Sequence, residues 1–311
     1  MARDADDAGA RAGFGCVVGR PNTGKSTLVN AMVGTKVAIT SDKPQTTRRL
    51  VRGVVNRAGG QLVLVDTPGV HRPRTLLGQR LNDEAQAAVA EVDVKVLTVP
   101  ADEPVGPGDR FIAEKYLAPG RAPRLAVVTK TDRVEADALV PQLLAVSRLA
   151  DDLGFTWDEV VPVSAVTGHQ VELLVSLLLQ RLPPGPPLYP DDTVTDSAVD
   201  EWVAELIREA ALVDVRDELP HSIAVVVDEM ALREGRPEGR PLTDIHATLF
   251  VERDSQKAIV IGPKGARLKQ VGTTARAAIE RVLGTAVYLD LHVTVAKEWQ
   301  RDPRQLRKLG F

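Results

Sequence analysis

Along the first part of the chain, short apolar runs alternate with longer segments whose apolar positions recur at helical spacing. The runs are rich in Val and Leu and have the length of buried strands, while the segments between them suit helices that cover a sheet. This alternation predicts an α/β domain of βαβ units with a mostly parallel sheet and helices on both faces. The predicted strands are Phe14–Val18, Gln61–Val65, Val94–Val99, Leu125–Val128 and Glu159–Val163, and the clearest helices are Ser26–Gly34 and Ala136–Leu149.

The alternation ends at a proline-rich stretch, Leu182 to Pro190, in which five of nine residues are proline. Proline lacks a backbone N–H and restricts the residue before it, so this stretch cannot continue a helix. Its composition predicts a stiff linker between two domains. The predicted organisation is a disordered tail at 1–12, the α/β domain at 13–183, the linker at 184–199 and a second domain at 200–311.

Beyond the linker, the pattern changes to a helix, two strands, two helices joined by a turn, and a final strand. Fewer strands and a different order predict a smaller α+β domain. The predicted elements are Asp200–Leu212, Ile223–Glu229, Ile245–Glu252, Ser255–Val260, Ala266–Leu283 and Ala286–Ala296, with the turn at Gly262–Gly265.

Composition agrees with two globular domains, since 44% of the 311 residues are hydrophobic. The single cysteine, Cys16, excludes an intramolecular disulfide, and its apolar surroundings predict a buried, inert thiol. No apolar run reaches the ~18 residues that span a membrane. The first residues lack the pattern of a signal peptide. We therefore expect a cytoplasmic protein.

Charge is distributed unevenly between two neighbouring parts of the chain. Residues 184–252 hold 5 Lys/Arg against 16 Asp/Glu, whereas residues 253–311 hold 12 Lys/Arg against 5 Asp/Glu. The first count gives a net charge of −11 and the second a net charge of +7. A compact basic terminus indicates a polyanionic partner such as nucleic acid. On charge alone, a solvated charged surface explains the pattern equally well.

The first chemical motif, Gly19 to Ser26, reads Gly-x-x-x-x-Gly-Lys-Ser between a predicted strand and a predicted helix. That context is typical of a phosphate-binding loop, because the glycines let backbone N–H groups point inward at the start of the helix. We expect Lys25 to hold the β- and γ-phosphates and Ser26 to bind Mg²⁺. The residues expected at the phosphates are Gly19, Arg20, Pro21, Asn22, Thr23, Gly24, Lys25, Ser26 and Thr27.

Two later segments are placed to act on the γ-phosphate. Asp66 ends a predicted strand and can hold a water on Mg²⁺, while the N–H of Gly69 can reach the phosphate. The polar loop 41–49 is either a plain surface loop or a switch in which a threonine closes over the triphosphate; Thr47 is favoured over Thr46. The expected metal ligands are Ser26, Thr47 and Asp66, the expected catalytic residues are Lys25, Thr47 and Gly69, and Thr67, Pro68 and Val70 complete this part of the site.

Base recognition is expected at the ends of two further predicted strands. Asp132 can accept hydrogen bonds from N1–H and the 2-amino group of guanine. Adenine has neither donor, and an unpaired buried carboxylate is costly, so the motif favours GTP over ATP. The N–H of Ala165 would lie near guanine O6. The residues expected at the base are Thr129, Lys130, Thr131, Asp132, Ser164 and Ala165.

In this order, the segments resemble the translation-factor-related class of GTPases. That class usually has asparagine where this chain has Thr129, so we expect guanine selectivity to come from Asp132, with weaker affinity. Many regulatory GTPases have a catalytic glutamine where this chain has Val70, which implies slow intrinsic hydrolysis that a partner raises. Asn22 matches a position that binds potassium in some relatives, so K⁺ is a candidate cofactor beside GTP/GDP and Mg²⁺.

In the second domain, Gly262–Gly265 reads Gly-x-x-Gly between a short and a long helix and resembles the clamp of KH domains. An ordinary helix–helix turn is the alternative, but two preceding strands and the basic surroundings favour a type II KH domain that binds single-stranded RNA. Trp299 and Phe311 are expected to pack on the core of this domain rather than on bases. The residues expected at RNA are Ile259, Ile261, Gly262, Pro263, Lys264, Gly265, Arg267 and Lys269.

Over residues 14–311 the whole chain resembles the Era family of bacterial GTPases, in the segments 19–27, 45–48, 66–69, 260–265 and 309–311. The resemblance implies slow GTP hydrolysis, binding to the 3′ end of small-subunit ribosomal RNA and maturation of the 30S subunit. It also implies a monomer and peripheral association with the inner face of the cell membrane. Two alternatives remain: a GTPase in RNA modification, for which the chain offers no further catalytic cluster, and an RNA-binding scaffold with a degenerate nucleotide site.

Overall fold

The computed structural model describes residues 10–43, 45–70, 73–215, 219–237 and 239–311. The chain separates into two compact units: most residues up to 196 form the first, and residues 197–311 form the second together with short segments at 41–43 and 74–79. Within the described ranges, no helix combines the length and the apolar content needed to cross a bilayer. Residues 1–9 of the predicted tail lie outside the described residues.

The first unit contains a sheet whose strand order is β2-β3-β1-β4-β5-β6, with β2 antiparallel to β3 and all other neighbours parallel. The prediction of a mostly parallel sheet is therefore confirmed. The strands are β1 (Arg11–Val18), β2 (Val51–Arg57), β3 (Gly60–Asp66), β4 (Val94–Pro100), β5 (Arg124–Thr129) and β6 (Glu159–Pro162), and the helices are α1 (Lys25–Val33), α2 (Leu76–Ala90), α3 (Pro107–Ile112), α4 (Ala136–Leu153) and α5 (Val171–Leu179).

Two apolar cores form in this unit, which is why its strands read as continuous apolar runs. One core includes residues of α1 and α5, such as Leu28 and Leu174. The other includes residues of α2, α3 and α4, such as Ala85 and Val146. Cys16 belongs to the second core as predicted, and burial raises the pKa of its thiol.

The predicted tail is too long by two residues, because β1 begins at Arg11. Arg11 and Ala12 pair with Gly60 and Gln61 of β3. Backbone pairing needs no apolar side chain, so the hydrophobic pattern could not reveal these two positions.

The predicted linker lies against the first unit as far as Asp196. The side-chain Oε1 of Gln61 accepts the backbone N–H groups of Leu188 and Tyr189 at 2.7 and 2.8 Å, and its Nε2 donates to the carbonyl of Tyr189 at 2.8 Å. Farther along, the N–H of Val54 in β2 donates to the carbonyl of Val194 at 2.9 Å. The segment is thus held to the sheet by hydrogen bonds along most of its length.

The second unit is the predicted smaller α+β domain. Its sheet has the order β7-β8-β9, with β7 antiparallel and β9 parallel to β8. Two short helices escaped prediction, because four and six residues are too few to show helical periodicity. The elements are α6 (Val199–Leu212), α7 (Leu219–Ser222), β7 (Ala224–Leu232), β8 (Leu242–Val251), α8 (Asp254–Ile261), α9 (Ala266–Leu283), β9 (Ala286–Val295) and α10 (Pro303–Lys308).

Candidate nucleotide site and nucleic-acid interface

The turn between β1 and α1 has the shape of an anion-binding loop. Gly24, with a φ of 92°, caps the start of α1. A Cβ added to Gly19 would lie 2.3 Å from Thr98 Oγ1, so only glycine fits there. Asn22 is exposed and also has a positive φ of 64°. The glycines therefore permit the tight backbone curl that turns N–H groups toward a phosphate.

Lys25 is buried at the base of this loop. Its Nζ donates to the carbonyl oxygens of Gly19 at 3.2 Å and of Arg20 at 2.8 Å. Burial lowers the pKa of Lys25 to about 8, and the nearby Asp66 carboxylate opposes that shift. The ammonium group is thus oriented by the loop itself.

Ser26, Thr47 and Asp66 converge at one point beside the loop. Ser26 Oγ donates to Asp66 Oδ2 at 2.7 Å, and Thr47 Oγ1 lies 2.9 Å from Ser26 Oγ. Burial raises the pKa of Asp66, and its Oδ1 is buried without a hydrogen-bond partner among the described residues. Two hydroxyls and an under-satisfied carboxylate are the hard oxygen ligands that suit Mg²⁺. The structure brings Thr47, the threonine favoured by the sequence, into this cluster.

The segment after Asp66 runs close beside the phosphate loop. Thr67 Oγ1 donates to the carbonyl of Val17 at 2.8 Å. A Cβ on Gly69 would approach Pro21 Cα within 3.0 Å, so glycine allows the two backbones to come together. Pro68 is buried, and Val70 belongs to the apolar core that includes residues of α2, α3 and α4. A valine held in that core cannot hydrogen-bond an attacking water.

Asp132 and Ser164 meet although they follow different strands. Ser164 Oγ donates to Asp132 Oδ1 at 2.6 Å and accepts the N–H of Thr167 at 3.1 Å. Lys130 adopts a positive φ of 58°, and its Nζ lies 3.6 Å from Asp102. Thr131 opens a short 3₁₀ turn and Ala165 directly follows Ser164. The carboxylate is therefore oriented by a neighbour before any base arrives.

The acidic partners of Arg20 were not predicted from the sequence. The Arg20 guanidinium is ion-paired with Asp109 at 2.8 Å and with Glu103 at 3.2 Å. The backbone N–H of Arg20 thus remains the group that could bind a phosphate, while its side chain connects the loop to α3. Asp102 and Glu103 lie just beyond β4, after Ala101, and polar residues at the carboxyl ends of parallel strands are a signal of site residues.

In the second unit, the Gly262–Gly265 turn joins α8 to α9. Gly262 has a φ of 71°, and a Cβ added there would lie 2.7 Å from Arg267 Cβ. Gly265 has a φ of 76°, and Lys264 between them has a φ of 51° and an exposed side chain. The turn therefore presents backbone and a lysine to solvent, as the clamp prediction requires.

A groove of about 510 Å³ extends from this turn along α9 and β9. Leucines form its apolar floor, while basic and aromatic side chains are available at its margin. An apolar floor with a basic margin suits unpaired bases and their phosphates. The groove is lined by Leu242, Gly265, Leu268, Lys269, Gly272, Thr273, Arg276, Val287, Tyr288, Leu289 and Leu291.

Three predicted RNA-binding residues outside the turn do not line this groove, and their contact with RNA stays a prediction. The floor does not include Ile259 or Ile261; on α8 it is Val260 that is buried, and Ile259 is 51% exposed. Arg267 is not directed at the groove, since its Nη2 donates to the carbonyl of Val213 at 2.7 Å.

The end of the chain packs as predicted. Trp299 is fully buried, and its Nε1 donates to the carbonyl of Ser222 at 3.0 Å. Its ring stacks on Phe311 with centroids 5.6 Å apart. Trp299 is therefore part of the second unit's core, and the half-buried Phe311 packs on it. The basic residues of the tail, Arg301, Arg304, Arg307 and Lys308, are exposed.

Two family models match the chain. The model described as "50S ribosome-binding GTPase" matches residues 15–130, and the KH domain model matches residues 218–300. The first covers the segment from the phosphate loop to Lys130, and the second covers the turn and groove. The matches thus fall on the two sites built above.

Similar proteins extend over nearly the whole chain. GTPase Era of Nocardioides sp. is 62% identical over 301 residues, covering 97% of this chain and 96% of that protein. GTPase Era of Streptomyces coelicolor is 61% identical, with coverages of 97% and 95%.

Two solved structures of Era are also similar. One is Era in complex with MgGDPNP and nucleotides 1506–1542 of 16S ribosomal RNA; it has a TM-score of 0.91 at 36% identity, covering 97% of this chain and 99% of that one. The other is a single-residue variant of Aquifex aeolicus Era bound to GDP·AlF4⁻, with a TM-score of 0.90 at 36% identity and coverages of 96% and 99%.

Proposed function

The chain belongs to the Era family of GTPases, and from this membership we propose that it is a slow GTP-hydrolysing switch that binds single-stranded ribosomal RNA. The proposed RNA is the 3′ end of the small-subunit ribosomal RNA, and the proposed role is maturation of the small ribosomal subunit. The observation that carries the proposal is the cluster of Ser26, Thr47 and Asp66 beside Lys25, in a chain that also has an apolar groove with basic margins.

The phosphate loop supplies positive potential where the transferred phosphate carries charge. Backbone N–H groups at the start of α1 and the Lys25 ammonium would contact the β- and γ-phosphates. Lys25 is already oriented by two loop carbonyls, so little reorganisation is needed. Gly69 brings its backbone beside the loop and would donate to the γ-phosphate.

The residues fit a magnesium ion that would be held by Ser26, Thr47 and, through a water, Asp66. When bound, Mg²⁺ neutralises charge on the phosphate oxygens. Ser26 and Asp66 hold each other in place at 2.7 Å, so the ligand set is positioned by the protein. Thr47 belongs to the loop 41–49, and its contact with Ser26 supports the proposal that this loop closes over a bound triphosphate.

Base selection is assigned to Asp132. Its carboxylate would accept N1–H and the 2-amino group of guanine, which adenine cannot replace. Ser164 fixes the orientation of that carboxylate, and the Ala165 N–H would approach O6. Potassium at Asn22 stays a prediction.

Hydrolysis is proposed to be slow because Val70 is held in an apolar core where many GTPases use a glutamine. Without a side chain that orients water, the reaction depends on Lys25, Mg²⁺ and backbone donors. A partner, such as bound RNA or the 30S subunit, would raise the rate. This function belongs in the cytoplasm, and peripheral membrane association stays a prediction.

The groove of the second unit is proposed to hold a single strand of RNA. Its leucines would take bases and its Lys269 and Arg276 would take phosphates, with Lys264 of the adjoining turn as a further positive charge. A duplex would keep its bases stacked and could not place them on the floor.

The test is to measure GTP turnover and nucleotide binding with and without an unpaired pyrimidine-rich RNA. Expected are turnover below about one per second that rises with RNA, and GDP affinity at least about a hundredfold above ADP affinity. Duplex RNA of the same sequence is the control. Equal affinities for GDP and ADP, or equal binding of duplex and single strand, would contradict the proposal.

A further inference from the structure

A glycine lies in the interior of α9, where the groove of the second unit runs along the helix. Gly272 is inside the helical span Ala266–Leu283, and it is one of the residues that line the groove. Glycine is among the least favourable residues for a helix interior, because its backbone loses the most conformational freedom on folding. A glycine at this position therefore needs a reason other than helix formation.

Neither the backbone conformation nor the packing of α9 supplies that reason. Gly272 does not have a positive φ, unlike Gly262 and Gly265 in the turn before the helix. A Cβ added to Gly272 would lie 3.6 Å from Leu291 Cδ1, which is an ordinary contact distance. At Gly262, by contrast, an added Cβ would lie only 2.7 Å from Arg267 Cβ. The protein's own atoms therefore leave room for an alanine at position 272.

The missing side chain leaves a gap in the wall of the groove. Leu268 lies one helical turn before Gly272, and Leu289 and Leu291 of β9 line the groove as well. All three leucines are half-buried, so each keeps part of its apolar surface accessible. We call the gap bounded by these four residues the Gly272 slot. A flat ring in this slot can lie directly against the backbone of α9.

Positive charges lie on both sides of the Gly272 slot along the helix. Lys269 is three residues before Gly272 and Arg276 is four residues after it, so both are its neighbours on the helix surface. Both side chains are exposed and both line the groove. Thr273 Oγ1 donates back to the carbonyl of Lys269 at 2.9 Å, so that side chain is held on the helix. An apolar slot between two cations fits an unpaired base between its flanking phosphates, whereas an apolar side chain would not use the cations.

We propose that the Gly272 slot receives one unpaired base of the RNA, and that position 272 is glycine because a Cβ there would occupy the space of that base. The proposal rests on the proposed binding of single-stranded RNA. Lys269 and Arg276 hold the phosphates on either side of the inserted base. In this arrangement α9 gives up helix stability for binding, so an added Cβ should raise the thermal stability and lower the RNA affinity.

The test compares the full-length protein with G272A and with T274A, which changes an exposed residue of α9 that does not line the groove. Both substitutions introduce alanine, the best helix former, so both variants should melt a few degrees above the parent. Fluorescence anisotropy gives the Kd of a labelled, pyrimidine-rich single strand. G272A should bind this strand about tenfold more weakly, because the Cβ overfills the slot. T274A should bind it as tightly as the parent.

A set of strands that each lack one base then identifies the occupant of the slot. With the parent, one abasic position should cost about tenfold in affinity. With G272A, the same position should cost less than about twofold, because its base has already been displaced. Equal affinities of G272A and the parent for the intact strand would overturn the proposal.

Two further results would also overturn it. One is a loss in G272A that is the same at every abasic position, because the Cβ would then act on α9 as a whole. The other is a G272A variant that melts below the parent, because alanine would then not fit the protein itself. If the parent does not bind the single strand, the proposed RNA binding falls; if it binds and only this comparison fails, the slot assignment alone is lost.

Discussion

The nucleotide site and the groove of the second unit bind phosphate by opposite means. In the nucleotide site, Lys25 and Asp66 are buried and each is held by a few fixed partners. In the groove, Lys269 and Arg276 are exposed beside apolar lining residues. Buried charges interact strongly and are screened little, whereas exposed charges are weak singly and sensitive to salt. Binding at the nucleotide site should therefore depend strongly on single buried groups, whereas binding at the groove should depend on many weak contacts.

The largest effect is expected from Lys25→Ala. Its ammonium is the buried charge expected on the β- and γ-phosphates, so GTP affinity and single-turnover hydrolysis should fall by about a hundredfold or more. The measurement is fluorescent GTP titration followed by rapid-quench hydrolysis. Lys36→Ala, an exposed lysine of the same unit, is the matched control. If GTP affinity and the hydrolysis rate of the Lys25 variant fell by less than fivefold, the buried ammonium would not be a major contributor to nucleotide binding.

A smaller effect is expected from a side chain added at the first glycine of the clamp. Gly262→Ala places a Cβ against Arg267 at a φ of 71°, and we expect about tenfold weaker RNA binding. Gly284→Ala is the control, because Gly284 has a φ of 66° but nothing within 4 Å of an added Cβ. Fluorescence anisotropy with a labelled single strand measures both. Equal losses in the two variants would mean that strain, and not the shape of the clamp, is responsible.

The smallest effects separate two basic residues of α9. Lys269→Gln should weaken RNA binding about threefold and lower the salt slope by roughly 0.7, because one phosphate contact is lost. Arg267→Gln should also weaken binding about threefold, but with an unchanged slope, since its guanidinium holds Val213 and not RNA. Anisotropy titrations at several salt concentrations test both. A reduced salt slope in the Arg267 variant would show that Arg267 contacts an RNA phosphate.

The sequence was sufficient wherever local geometry sets the spacing of residues. The phosphate loop, Asp66 at the end of β3 and the bounds of α9 could be predicted, because a strand, a tight turn and a helix dictate which residues must follow one another. Thr47 was favoured over Thr46 without being settled, and only the position of Ser26 in space separates them.

What the sequence could not provide are contacts between distant parts of the chain. The pairing of Arg20 with Asp109 joins residues from two different βα connections. Arg267 was expected to bind phosphate because it is a basic residue close to the clamp. The sequence could not show that its guanidinium donates to the carbonyl of Val213. Ile259 was expected to line the groove because it lies close to the turn in sequence. The sequence did not reveal that Val260, and not Ile259, is the buried residue of α8. In each case tertiary packing decides the direction of a side chain.

The hydrogen bonds of the linker segment also bear on self-association. β2 ends the six-stranded sheet, and an open edge of that kind invites strands of other molecules to add to it and start aggregates. Residues 188–196 occupy part of this edge through Gln61, Val54 and the bridge between Gly53 and Thr195. The segment that joins the two domains should therefore also protect this sheet edge from intermolecular strand pairing. A change in the length of this segment would therefore affect solubility as well as the distance that the linker spans. Because the hydrogen bonds to the sheet end at Asp196, an insertion would best be placed after that residue.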